Sequence, residues 1–242
     1  VGLAVHINTP GAVEVRDMTI TGARNGGPGY GAGLWGRDAG LALTLRRVAI
    51  VDNEQSGDPQ YLTQKYAGVG AGIRWEGGTL TVEDSLIAGN HAVTGFTGIK
   101  AMGAGLYLGS GSTVIRNTTI AGNVALGRPD APAQGGGIYL ADGRSLTLEN
   151  VTLAGNAVVG GSEVTFGGTE GAQLWRGPTS AVTVKNSIIA HGAAAAATDC
   201  NGAITNSGGG NIQDRNDCGL GAADKTTTDP QLGVLQNNGG PT

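Results

Sequence analysis

The sequence predicts an all-β fold, a single parallel β-solenoid of about six coils. Three observations support this prediction. Glycine makes up 46 of the 242 residues, which excludes a helical protein. Aliphatic and polar residues alternate in short runs bounded by Gly, Asn or Asp, as in TLTVEDSLIAG from Thr79. One phrase recurs along most of the chain, which is typical of repeat architectures.

The recurring phrase begins with G-x-G-aliphatic and ends with aliphatic-Ala-Gly-Asn or a close variant. Four copies begin at Gly31, Gly70, Gly103 and Gly135. A degenerate copy follows from Gly171, and an earlier segment from Ala12 keeps only the second half. The inserted residues fall between the terminal Asn of one copy and the Gly pair of the next. One side of each repeat is therefore constant, and one loop varies in length.

Other repeat folds fit this pattern poorly. Helical repeats require long runs with a 3.6-residue period and few glycines. Propeller blades require four strands per unit and aromatic motifs, whereas aromatic residues are only 4% of this chain. In a parallel solenoid each repeat forms one coil of two or three strands, stacked on the coil before it. The sequence therefore favours the solenoid.

Stacked coils should place equivalent residues in columns about 4.8 Å apart. Two predicted interior columns are aliphatic in every coil. They are Val15, Leu45, Val82, Ile115, Leu148, Val184 and Ile20, Ile50, Ile87, Ile120, Leu153, Ile189. A neighbouring outward column is charged, and after its first pair the charges alternate in sign. It contains Arg16, Arg46, Glu83, Arg116, Glu149, Lys185. Opposite charges in register favour this alignment of the coils on a solvated face.

The terminal asparagines of the repeats, Asn53, Asn90, Asn123 and Asn156, form a further column. Because Asn tolerates the left-handed backbone region and hydrogen-bonds locally, we predict a turn at each position and an amide ladder along the stack. The Gly pairs are predicted to mark bends where a Cβ would clash. A phosphate-binding loop would instead open a helix, and the sequence predicts none after these glycines.

Composition narrows the possible partners. The net charge is −4, with no basic cluster that would attract nucleic acid or an anionic membrane, and no apolar run reaches the length of a membrane span. His6, His91 and His191 occupy three different phases of the repeat, so we expect no metal site. No cofactor is expected either. Because the chain begins at Val1 without a signal peptide, we expect a processed chain or an excerpt of a longer one.

The stretches GAGIRWEGGTLTVEDSLIAGNHA and DPQLGVLQNNGGPT resemble bacterial secreted and surface proteins with right-handed parallel β-helix repeats, related to the repeats of polymorphic outer-membrane proteins. The resemblance covers essentially the whole chain and implies a right-handed helix and an extracellular or cell-surface location. Cys200 and Cys218 match the cysteine-bracketed end module of those proteins. We predict that they form a disulfide, with residues 1–198 forming the coils and 199–242 an irregular closing segment.

The predicted function is that of a structural or adhesive extracellular module, which could stack head to tail into a filament. Two alternatives remain, a carbohydrate-active β-helix enzyme and a module that binds surface polysaccharide. No catalytic set is identified. The best acidic candidates are Asp52 and Glu54 beside Arg46 and Arg47. An aromatic stripe is the candidate ligand surface, although it would equally suit a half-buried edge. It comprises Trp35, Trp75, Tyr107, Tyr139 and Trp175.

Overall fold

Each repeat phrase forms one level of a parallel β-solenoid. The computed structural model describes residues 2–26, 30–56, 68–94, 99–127, 132–160, 170–190 and 198–236. Within these ranges every regular element is a strand, and every strand pair is parallel. The first three coils are formed by β1 (Val5–Ile7), β2 (Gly11–Thr21), β3 (Arg24–Asn25), β4 (Leu34–Val51), β5 (Glu54–Ser56), β6 (Ile73–Glu83), β7 (Leu86–Ala88) and β8 (His91–Val93).

Two central coils have the most complete set of strands. They are formed by β9 (Ala101–Met102), β10 (Leu106–Leu108), β11 (Ser112–Arg116), β12 (Thr119–Ala121), β13 (Val124–Leu126), β14 (Ala133–Gln134), β15 (Ile138–Leu140), β16 (Ser145–Glu149), β17 (Thr152–Ala154) and β18 (Ala157–Val159). Shorter levels follow, with β19 (Leu174–Arg176), β20 (Ala181–Lys185), β21 (Ile188–Ala190), β22 (Cys200–Asn201), β23 (Asn206–Ser207) and β24 (Ile212–Gln213).

The number of complete turns is about five, slightly fewer than the six predicted. A sheet of 17 strands wraps two sides of the solenoid, and a five-stranded sheet of β3, β5, β8, β13 and β18 forms the third side. Beyond β18, the described residues add strands only to the large sheet. Residues 200–213 continue its register, since β22, β23 and β24 pair with β19, β20 and β21.

The register confirms all three predicted columns. Ile115 lies between Val82 and Leu148, and Ile120 lies between Ile87 and Leu153. Both isoleucines are fully buried. In the first coil Val15 is only partly buried, because this coil packs against the core from one side. The interior is thus a continuous aliphatic core closed by the sheets, as expected for parallel strands.

The Gly pair of each phrase allows close packing between coils. A Cβ on Gly72 would lie 2.5 Å from the carbonyl oxygen of Gly105 in the next coil and 3.0 Å from Nδ2 of Asn90. Any larger residue at this position would force the two coils apart. This contact confirms the predicted reason for the glycines and brings the corner of each coil against the asparagine column.

Candidate functional site

The four repeat asparagines lie in the interior, where their amides form a continuous ladder. Nδ2 of Asn53 donates to Oδ1 of Asn90 at 3.0 Å, and Asn90 donates in the same way to Asn123 at 2.8 Å. The next rung, from Asn123 to Asn156, is 2.9 Å long. Gln173, which aligns with Gly137 and not with the asparagine column, ends the ladder by accepting from Asn156 at 2.6 Å. All five side chains are fully buried.

Each rung also ties the amide to the backbone of neighbouring coils. Oδ1 of Asn123 accepts a second bond from the backbone N–H of Asn90 at 3.0 Å, and its Nδ2 donates to the carbonyl of Ile87 at 3.0 Å. The buried amide thereby finds partners for both its donor and its acceptor, as burial of a polar group requires. These contacts give the asparagines a structural role.

In the turn at each of these asparagines, the left-handed backbone belongs to the residue before the asparagine. Gly89, Gly122 and Gly155 have φ values of 64°, 62° and 64°, and Asp52 precedes Asn53 with φ 55°. Left-handed asparagines occur at a different, exposed turn that includes Asn117, with φ 48°. The predicted turn is therefore present, but the residue in the αL conformation is the one before each buried asparagine. The residue in front of each asparagine, a glycine in three coils and Asp52 in the other, already supplies the turn, so the amide can point inward.

The charged column forms ion pairs between coils. Arg46 bonds Glu83 at 2.7 Å, and Arg116 lies between Glu83 at 3.7 Å and Glu149 at 3.2 Å. In the adjoining column Arg47 makes two hydrogen bonds to Asp17, at 2.5 and 2.8 Å. The side-chain hydrogen bond from Arg47 holds the pKa of the exposed Asp17 carboxyl below its usual value.

The acidic patch considered for catalysis does not converge. Glu54 pairs with Arg24 at 2.7 Å, while Arg46 and Arg47 pair with Glu83 and Asp17. The sequence also places a loop with Asp58, Tyr61, Lys65 and Tyr66 after this patch, and these four residues lie outside the described residues. So does His191. Among the described ranges, no group of three His, Cys, Asp or Glu side chains could hold a metal ion.

The aromatic stripe differs from the prediction at one position. Trp35 aligns with Arg74, and Arg74 aligns with Tyr107, whereas Trp75 aligns with Gly36 and Leu108. Trp75 points into the core and is fully buried. Its inclusion in the stripe was wrong because strand side chains alternate between faces, so a shift of one residue reverses the face. A Cβ at Gly36 would overlap the Trp75 ring, so that glycine makes room for it.

The corrected stripe is a stack of side chains along the solenoid. The Trp35 ring stacks on His6 with centroids 4.2 Å apart. Tyr139 stacks on Tyr107 at 5.2 Å and on Trp175 at 4.4 Å. The Arg74 guanidinium lies 5.9 Å from the Trp35 ring and 5.8 Å from the Tyr107 ring, and so bridges the two groups. His6 and Arg74 belong to a stack that the sequence prediction limited to Trp and Tyr.

A carboxylate fixes the centre of this stack. Glu76 accepts a hydrogen bond from Nε1 of Trp35 at 2.9 Å and from Arg74 at 2.6 Å.

Desolvation by burial raises the pKa of Tyr139 to about 12, and the nearby Tyr107 and Asp142 add to this effect. Each inner ring of the stack covers the face of its neighbour. A sugar that stacks on a flat ring face would have to displace such a contact.

The C-terminal segment is fixed to the last level by covalent and polar contacts. Cys200 and Cys218 form the predicted disulfide. Asp224 accepts hydrogen bonds from the Ser207 hydroxyl at 2.6 Å and from Nδ2 of Asn211 at 2.8 Å. Beyond these contacts, residues 229–236 lie against the outside of the solenoid as an exposed segment, which we call the strap. The strap and the groove beside it were not predicted from the sequence.

Comparison with known families agrees with this geometry. The model of a family described as the right-handed beta helix region matches residues 3–238. The chain belongs to the right-handed β-helix family. This match confirms the predicted hand of the solenoid. No curated protein and no solved structure matches the chain.

Two further features of this β-helix concern its redox environment and membrane-spanning helices. Its disulfide is typical of proteins in an oxidising, extracellular environment. Among the residues that the structure describes, no helix is long and apolar enough to cross a membrane.

Proposed function

We propose that this β-helix is a secreted structural or adhesive module that displays a rigid surface outside the cell. One observation carries the proposal: charged, amide and aromatic side chains pair from coil to coil along the axis. The Asn ladder, the Arg116 ion pairs and the Tyr139 stack all join successive coils. Side chains used in this way stiffen a scaffold. The resemblance to bacterial surface repeats and the disulfide support a location outside the cell.

The first coil supplies a surface for assembly. β2 pairs with β4 on one side, and no described strand pairs with its other side. β2 has 11 residues, and a strand edge that no other strand covers is a template for pairing with another chain. We propose that a second copy docks on this edge head to tail. Because such a contact is heterologous, repetition extends it into a filament.

Sedimentation velocity over a concentration series, combined with electron microscopy, tests this assembly. We expect species that lengthen with concentration and elongated particles of constant width. Particles that stay monomeric at the highest concentration reached would contradict head-to-tail stacking. A parallel assay follows the release of reducing ends or unsaturated sugars from polysaccharides. Turnover there would favour the carbohydrate-active enzyme over the structural module.

A further inference from the structure

The strap and the solenoid enclose a groove of about 1070 Å³. Its floor is the outer surface of β7, β12 and β17 and the glycine turns that follow them. Its other wall is the strap, whose Leu232, Val234 and Leu235 are 44%, 84% and 56% exposed. This volume is at the upper end of the range for ligand sites in proteins, roughly 300–1,000 Å³. We propose that the groove binds an elongated, uncharged oligosaccharide.

The shape of the groove indicates an elongated ligand. Its lining includes Gly89, Gly122 and Gly155, which occupy the same turn in three successive coils. Coils repeat about every 4.8 Å along the axis, so the groove runs along the solenoid and across its strands. A Cβ placed on Gly122 would meet no atom within 4 Å. The floor is open at this point, and a ring can approach the backbone closely.

The polar groups of the floor fit a ligand rich in hydroxyls. Thr119 and Thr152 are paired in register and both line the groove. A threonine hydroxyl both donates and accepts, which matches the hydroxyls of a sugar. The small side chains of Ala121 and Ala154 lie beside them and leave an apolar surface between the hydroxyls. Such alternation of polar and apolar floor suits the edges and faces of sugar rings.

The charge of the groove selects against acidic polymers. The described lining contains Asp52, Asp214 and Asp229 but no lysine or arginine. A Cβ on Gly89 would meet the Asp52 carboxylate, which therefore lies directly against Gly89. Carboxylates accept hydrogen bonds from sugar hydroxyls but repel uronates, sulfates and phosphates. An uncharged sugar chain can donate hydrogen bonds to these carboxylates and is not repelled by them. This inference rests on the adhesive part of the proposed function and gives it a ligand.

Isothermal titration with purified protein tests the site. The neutral probes are β-1,4-linked hexasaccharides of glucose, mannose and N-acetylglucosamine. A hexamer of galacturonic acid and a hexalysine peptide are the charged probes. We expect at least one neutral hexasaccharide to bind, and to bind more tightly than the galacturonate hexamer. The inference is overturned by binding of none of the neutral probes, or by binding of hexalysine alone.

Two matched variants locate the binding. Ala154→Phe fills the groove from its floor, whereas Thr147→Phe adds a similar ring on β16, outside the groove. We expect Ala154→Phe to lower the affinity at least about tenfold and Thr147→Phe to leave it unchanged. Equal affinity in both variants would place binding elsewhere and overturn the groove site. The sedimentation test of assembly does not depend on sugar binding, so a negative titration would overturn the groove site and leave the proposed structural module untouched.

Discussion

Asparagines at two neighbouring turns of one coil have different environments. Asn123 is fully buried and exchanges hydrogen bonds with the coils on both sides. Asn117 is exposed, adopts φ 48°, and donates to Asp84 at 3.0 Å. A buried amide without partners costs about 1–3 kcal/mol for each lost group, whereas water replaces partners at the surface. Position within the coil therefore decides how much each asparagine contributes.

Replacement of Asn123 by Ala should destabilise the protein by about 3–5 kcal/mol. The change removes the acceptor that both Nδ2 and the backbone N–H of Asn90 share, and one of the two donors to Oδ1 of Asn156. Urea unfolding measures the loss. Asn117→Gly is the control, since Gly tolerates the same backbone, and should cost less than about 1 kcal/mol. Similar losses of unfolding free energy in the two variants would contradict a larger contribution from the buried ladder.

Replacement of Trp75 and of Trp175 by Ala should lower the free energy of unfolding by different amounts, measured again by urea unfolding. Trp75 is fully buried, so Trp75→Ala leaves a cavity that costs about 3–5 kcal/mol. Trp175 is half-buried and stacks on Tyr139, so Trp175→Ala should cost about 1 kcal/mol. If the loss for Trp175 equalled that for Trp75, the corrected position of the stripe would be wrong.

At the scale of the element, the outer face of β6, β11 and β16 is held in register by charge. Arg116 lies opposite Glu83 on one side and Glu149 on the other. The three side chains are 42%, 22% and 35% exposed. Water and salt screen such pairs, so each contributes no more than about 1 kcal/mol. Their main effect is to disfavour slipped registers, in which like charges would meet.

Reversal of one charge tests this register. Arg116→Glu places three carboxylates in succession and should destabilise the protein by about 1 kcal/mol at low salt. The effect should shrink in 1 M NaCl, where the Debye length is about 3 Å. Arg16→Glu is the matched control, because it places an acid opposite Arg46 in the same column. This control should be neutral or slightly stabilising in thermal melts, and a loss equal to that of Arg116→Glu would contradict the account.

Across the whole molecule, the C-terminal segment is fixed to the last level by the disulfide and by Asp224. Burial would by itself raise the pKa of the Asp224 carboxyl, but hydrogen bonds from Ser207, Asn211 and Gly221 outweigh it and lower the pKa. The carboxylate therefore stabilises this end in its ionised form.

The contribution of Asp224 should depend on pH. Since its pKa is lower in the folded than in the unfolded chain, its stabilisation is complete above the ordinary value of 3.8 and is lost as pH falls through the folded value. Asp224→Asn should lower Tm at pH 7, and the difference from wild type should shrink between about pH 4 and pH 2. Asp229→Asn, an exposed strap residue, is the control. A Tm difference that stays constant with pH would contradict the role of the charge.

The strands, the aliphatic columns and the amide ladder could be predicted from the repeated residues. A strand shifted by one residue would turn its aliphatic side chains to solvent, so the repeated pattern fixes the register at positions such as Ile115, Ile120 and Asn123. The corrected stripe could also have been predicted from the spacing within the repeat. Four residues after the first glycine of each phrase stand Trp35, Arg74, Tyr107, Tyr139 and Trp175.

Three other features depend on contacts between segments that are distant in the sequence. The inward orientation of Trp75 depends on space that Gly36 leaves in the neighbouring coil. The count of about five complete turns depends on which loops form strands on the third side. The groove joins Asp52, Gly122 and Gly155 to a strap that begins at residue 229. No local pattern encodes these contacts, because they depend on how distant segments fill or leave space once the coils have stacked.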